Sequence, residues 1–158
     1  MLSSKLVRLI EEHWDLLTAR IIKDIRANPR LPCLGGLPES ELRDRARDIL
    51  EHLSHWLTLS GEREMGPHFE RIGAARRQDG IPLHEVVLAY STIKNAMIDY
   101  ARAQGIGPSA FEVYAEEELQ HSISRLFDCA LYYVVRGYEC GAAPWVAPAS
   151  HSGTSAAG

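Results

Sequence analysis

PSAFEVYAEEELQHSISRLFDCALYYVVRG, residues 108–137, holds no internal proline and no glycine before its last position. Pro108 suits a first helical turn. Behind it the apolar residues Phe111, Ala115, Leu119, Ile123, Phe127, Ala130, Val134 and Tyr138 recur every three or four positions, the period of one helix face. Thirty residues at ~1.5 Å each make a helix about 45 Å long. That is longer than a compact domain of this size is wide. Part of the stripe is therefore expected to meet a partner chain. Leu119, Ile123, Phe127, Leu131 and Val134 are the candidate dimer interface.

Working back from this segment, the same period continues. Pro82 opens a helix with Val86, Tyr90, Ile93, Met97 and Tyr100 on its inner side, closed by Gly105. A shorter helix runs from about Pro67 to Gln78, and Gly80 suits its C-terminal turn. Before it, a helix entered at Pro38 buries Leu42, Ala46, Ile49, Leu53, Trp56 and Leu57, and turns Arg43, Asp44, Arg47, Asp48 and Glu51 to water. The first helix places Leu6, Ile10, Trp14, Leu17, Ile21 and Ile25 in one stripe and stops before Pro29. The stretch NPRLPCLGGL, residues 28–37, reads as a loop. Beyond the long helix, residues 141–158 turn to Ala, Gly, Ser and Pro with no charged side chain, the composition of a flexible tail or linker. The expectation is an all-α fold of five helices in a globin-like bundle, one domain over residues 1–140, with a long C-terminal helix.

Bulk composition narrows the function. A net charge of −4 lacks the basic balance of a nucleic-acid binder. No apolar run approaches the ~20 residues that cross a bilayer. The N-terminus gains acidic residues before any apolar stretch forms, so it does not read as a signal peptide. Three cysteines, without metal or redox spacing, fit a reduced, cytoplasmic setting.

Motifs for chemistry are sparse. Glu118 and His121 form one half of a di-iron signature, but a second Glu-x-x-His is lacking. His52 and His55 share a helix face without a third ligand nearby. There is no Gly-x-Ser-x-Gly, no phosphate-loop lysine after Gly35-Gly36, and no Cys paired by context with a His. Nothing near Cys33 marks it as a lowered-pKa thiol. No catalytic residue, metal or cofactor is assigned, and the chain reads as no enzyme. Trp14, Trp56, Phe69, Arg76 and Tyr90 are the candidate lining of a pocket for a small apolar ligand.

One stretch is more specific. FERIGAARRQDGIPLHEVVLAYSTIKNAMIDYA, residues 69–101, resembles the N-terminal sensory domain of RsbR-type co-antagonists of the stressosome, especially the RsbRD branch. The resemblance extends more loosely over residues 5–139, through an opening helix with a Trp and the segment LPESEL, residues 37–42, that begins the second helix. It implies a globin-like fold without haem. Globin-coupled haem sensors carry a His-x-x-x-Gly pattern followed by an Ala-aromatic pair. Here Gly80 and Ala89-Tyr90 align with that pattern, and Arg76 stands where the haem-binding histidine would be. A guanidinium stays protonated and offers iron no lone pair.

The resemblance also implies a homodimeric input module that relays a signal by protein–protein contact to a downstream regulatory or kinase protein. Two other readings stand beside it. One is a haem- or other ligand-binding globin-type sensor using His84 or His68; the other is a plain helical adaptor.

Overall fold

In a computed structural model the chain is all-helical across the described residues, 2–104 and 110–140. The segment expected as a tail, with Trp145, and the Pro108 start of the last helix lie outside them. Eight helices follow one another among the described residues: α1 (Leu2–Glu12), α2 (Trp14–Ala27), α3 (Pro32–Gly35), α4 (Glu39–Leu50), α5 (Leu53–Trp56), α6 (Leu59–Gln78), α7 (Leu83–Ala103) and α8 (Ala110–Cys140). The long C-terminal helix is present, at 31 residues.

The five expected segments become eight for local reasons. The first breaks at His13, whose ring Nδ1–H donates to the Leu9 carbonyl (2.9 Å) beside its own backbone N–H (3.1 Å). A side chain joining the hydrogen-bond ladder is one cause of such a kink. The second breaks at Glu51–His52, on either side of which Leu50 and Leu53 are fully buried. The loop at 28–37 contains one helical turn, α3, with Pro32 at its start. Its Leu34, with Leu31 before it, is buried.

Helix α6 begins at Leu59, eight residues before the proline taken as its start. The Thr58 hydroxyl caps it by accepting from the Gly61 N–H (3.1 Å). Pro67 removes one ladder bond inside the helix. The helix still continues through it, with Met65 and Phe69 on either side both buried in the core.

The end of α6 is fixed by backbone geometry. Gly80 adopts φ +72, a left-handed value that glycine takes without a Cβ penalty. The Ile81 N–H donates to the Arg76 carbonyl (3.1 Å) and the Gly80 N–H to the Arg77 carbonyl (3.0 Å). This pair of bonds is a Schellman turn. It delivers the chain into α7 and holds Arg76 in the last turn of α6.

Helices α6 and α8 lie side by side in parallel register: Gly66 faces the Tyr133 ring, Gly73 faces Val134, and Gly137 faces Glu70. A Cβ on Gly73 would fall on the Val134 carbonyl oxygen, and one on Gly137 on the Glu70 carbonyl oxygen. Only glycine lets the two backbones come this close. Arg77 completes the seam, its guanidinium donating to the Tyr138 and Glu139 carbonyls (3.0 and 2.9 Å) near the C-terminus of α8. The Tyr138 hydroxyl donates to the Ile81 carbonyl (2.8 Å).

Candidate functional site

The opposite side of the molecule is looser. Helices α2, α4, α6 and α7 surround a cavity of about 310 Å³. Its walls are aliphatic: Ile21 and Ile25 from α2, Leu42 and Ile49 from α4, Val86 and Ile93 from α7. Its polar lining comes from Asp44, Arg45 and Asp48 on α4, His68 and Arg76 on α6, and Tyr90 on α7.

Of the five residues proposed from sequence, Arg76 and Tyr90 line this cavity. Trp56 and Phe69 do not reach it but stand behind its wall. Trp56 packs on His68 with ring centroids 4.7 Å apart, and Phe69 meets Tyr90 edge-on at 6.5 Å. Trp14 belongs elsewhere, beneath the guanidiniums of Arg43 and Arg47 at 5.6 and 5.1 Å. That part of the expected pocket is corrected: Trp14 shares the apolar stripe of the first segment but packs away from the cavity, against α4.

Sequence reasoning missed Arg45 and the aliphatic wall. Arg45 lies three residues after Leu42 and four before Ile49, so it occupies the buried stripe of α4, an unusual register for a cation. That was its available signal. The cavity residues of α2 were legible as core, but nothing local marks a core position as facing a void.

Electrostatics at the cavity centre on two guanidiniums. Arg45 Nη2 and Arg76 Nη1 both bond Asp79 Oδ2, at 3.1 and 3.2 Å. Glu41 stands 3.7 Å from Arg45 Nη2. Arg45 Nη1 is buried with no hydrogen-bond partner. Burial, and then the neighbouring Arg76 charge, push the Arg45 guanidinium below its ordinary value, yet arginine stays cationic at neutral pH. His68 Nε2 and Asp48 Oδ2 lie 2.6 Å apart. Burial pushes the Tyr90 hydroxyl well up, so it stays protonated.

Elsewhere the titratable groups give no comparable arrangement. His84 is exposed and does not line the cavity. His55 pairs with Glu64 (2.8 Å) at the surface, and His121 and Glu118 are both exposed. Among the described residues no three His, Cys, Asp or Glu side chains are placed to hold a metal. Cys33 is exposed, and the adjacent Glu85 carboxylate pushes its thiol up, which disfavours the reactive thiolate. Glu85 itself is buried, accepting from the backbone N–H groups of Cys33 (3.2 Å) and Leu34 (3.0 Å) and so tying α3 to α7.

The residues proposed for dimer contact require a second correction. Leu119, Ile123, Phe127 and Val134 are buried in the chain's own core, and Leu131 alone among the five is part-exposed. Phe127 meets Tyr90 at 6.3 Å between ring centroids. The accessible flank of α8 is a groove shared with α6, where Pro67 and Ala74 face Leu131, Tyr132 and Val135. Tyr132 is 60% exposed there.

The cavity thus brings together Arg76, in the last turn of α6 before Gly80, and Tyr90 of α7, two residues of the stretch that carries the sequence resemblance. A family model described as the RsbT co-antagonist protein rsbRD N-terminal domain matches residues 15–139, most of the chain. The chain belongs to that family. As an RsbRD N-terminal domain it is a regulatory input module of the stressosome co-antagonist type. No curated protein and no solved structure gives a match. Among the described residues, no helix of this RsbRD domain is long and apolar enough to cross a membrane.

Proposed function

We propose that this RsbRD domain is a haem-free, globin-like sensory module of the cytoplasm. It dimerises and relays a signal by contact with a downstream regulatory or kinase protein, without a catalytic step of its own. The observation that carries the reading is Arg76. The Schellman turn at Gly80 holds it in the last turn of α6, and it lines a preformed cavity; in the sequence pattern of globin-coupled haem sensors its place is that of the ligand histidine. The cavity's 310 Å³ is at the small end of the ~300–1,000 Å³ usual for ligand sites. Purified from a haem-replete host, the protein is expected to show no Soret absorption.

The dimer is assigned to the groove of α6 and α8. Leu131, Tyr132 and Val135 supply an apolar strip in a groove also lined by Asp128, Arg71 and the Arg136–Glu70 ion pair (3.4 Å). A two-fold axis can bring such mixed charges into opposite-sign pairs, since an isologous interface presents the same patch twice. Tyr132→Glu with Leu131→Glu is expected to give a folded monomer by light scattering. A wild-type monomer at high micromolar concentration removes the dimer from the proposal.

One observation favours a second reading. His68 lines the cavity, so a haem- or other ligand-binding sensor has a candidate side chain there that His84 does not provide. A Soret band after haemin reconstitution, lost in His68→Ala, would replace the first reading with this one.

A further inference from the structure

We infer that the cavity binds a small apolar carboxylate, its head group held between Arg45 and Arg76 and its hydrocarbon body against Ile21, Ile25, Ile49 and Ile93. The inference rests on the reading of the chain as an input domain and names the class of its ligand.

The case begins with a donor that has nothing to bond. Arg45 Nη1 is buried without a partner, although a buried polar group left unpaired is costly and rare. The two guanidiniums that line the cavity share a single carboxylate oxygen, Asp79 Oδ2. Asp48 is engaged by His68, and Glu41 stands 3.7 Å from Arg45 Nη2, beyond hydrogen-bond distance. Two cations therefore meet one close acceptor. Desolvation and mutual repulsion both weigh on Arg45 in this state. An incoming carboxylate can accept from Arg76 and, once the Arg45 guanidinium turns its sealed Nη1 toward the cavity, from both together, in the planar, charge-assisted geometry that guanidinium favours.

The walls define the rest of the ligand. Beyond the arginines the lining is branched aliphatic, which selects a hydrocarbon body over a sugar or nucleotide. A doubly charged phosphate would sit among Asp44, Asp48 and Asp79, so a monoanion fits better. At ~30 Å³ per water-sized group, the volume admits about ten heavy atoms. A straight-chain carboxylate of octanoate size is of that order.

Binding there would also reach α8. The head group would join α4, through Arg45, to the last turn of α6, through Arg76. The next residue, Arg77, holds the C-terminal carbonyls of α8. A ligand that draws α4 and α6 together therefore biases the helix whose flank forms the proposed dimer groove, to the extent of its differential affinity for the two arrangements.

The test uses the full chain and measures octanoate, 1-octanol, octylamine and inorganic phosphate by calorimetry and thermal shift. Octanoate is expected to bind and raise the melting temperature, with octanol about tenfold weaker for want of the charged head. Octylamine and phosphate are expected to leave the protein unchanged. Arg76→Gln should weaken octanoate by about tenfold. Ala46→Phe, which fills the cavity and leaves both arginines in place, should abolish binding. If Arg45→Gln fails to fold, these two variants still decide the matter. No octanoate binding, equal binding of octanol, or binding that survives Ala46→Phe overturns the proposal. These outcomes separate from the fate of the relay reading: a haem-free dimer that ignores octanoate loses only the ligand class. A monomer that binds octanoate through Arg76 keeps the site and loses the relay.

Discussion

The two sides of this domain handle space in opposite ways. Along the α6–α8 seam, Gly73 and Gly137 bring backbone against backbone, leaving no room for even a methyl group. Across the molecule, α2, α4 and α7 stand around an open cavity, and α4 is held to α6 by polar bonds at its rim, Arg45 to Asp79 and Asp48 to His68. The difference teaches where the fold can respond. A seam without slack moves as a unit, whereas helices joined over a void can shift when something fills it. Arg76 and Arg77, adjacent in sequence, face the two regimes: one lines the cavity and the other caps α8.

Adding atoms to the seam should have the largest effect. Gly73→Val places a branched side chain onto the Val134 carbonyl and is expected to cost about 4 kcal/mol or more, since rigid backbone cannot yield. Urea denaturation checks this; a loss under about 1 kcal/mol would show that the seam has slack after all. Next is Phe127, which tests whether the α8 stripe serves the chain's own core. Phe127→Ala should lower stability by about 3–4 kcal/mol. The protein's oligomeric state, read by light scattering, should stay unchanged at concentrations where it remains folded. Dissociation at unaltered stability would return Phe127 to the interface.

On the cavity side the effects should be smaller. Glu85→Gln keeps one acceptor for α3 but removes the charge behind both bonds. A loss of about 2 kcal/mol is expected in chemical denaturation. An unchanged midpoint would mean that α3 is held by Leu31 and Leu34 alone. Smallest of all is Ala46→Val, which adds two methyl-sized groups facing the void. Its stability should stay within about 1 kcal/mol of wild type, with a gain the expected sign. A loss of the size expected for Gly73→Val would erase the contrast between the two sides.

Much of this was legible beforehand, and the failures are instructive. From Val86 through α7, and from Ala115 through α8, the stripes read correctly because their inward residues are apolar and the period is unbroken; the buried Glu85 at the start of α7 lay outside the pattern. Pro67 misled because proline usually opens a helix; the Thr58 cap nine residues earlier was the competing signal. The breaks at His13 and Glu51–His52 left no trace in a pattern that counts only apolar positions. Arg76 and Tyr90 were found through the spacing to Gly80 and Ala89, since a cavity residue on the last turn of a helix keeps its offset from the turn that ends it. Arg45 was missed because it was assigned to neither face: a single cation among apolar stripe positions fits neither the buried pattern nor the polar one.

By itself, the sequence determined the all-helical class, the helix faces and the left-handed turn at Gly80, because these depend on periodicity and on backbone sterics within a few residues. Tertiary structure alone decided what each buried face lies against. Leu119, Ile123, Phe127 and Val134 look the same in sequence whether the apolar surface covering them belongs to the same chain or to a second one, since the hydrophobic effect is non-directional and indifferent to chain identity. Glycine's role in the α6–α8 seam and the void beneath Arg45 and Arg76 arise likewise from residues far apart in sequence, brought together by the packing of helices that no local pattern specifies.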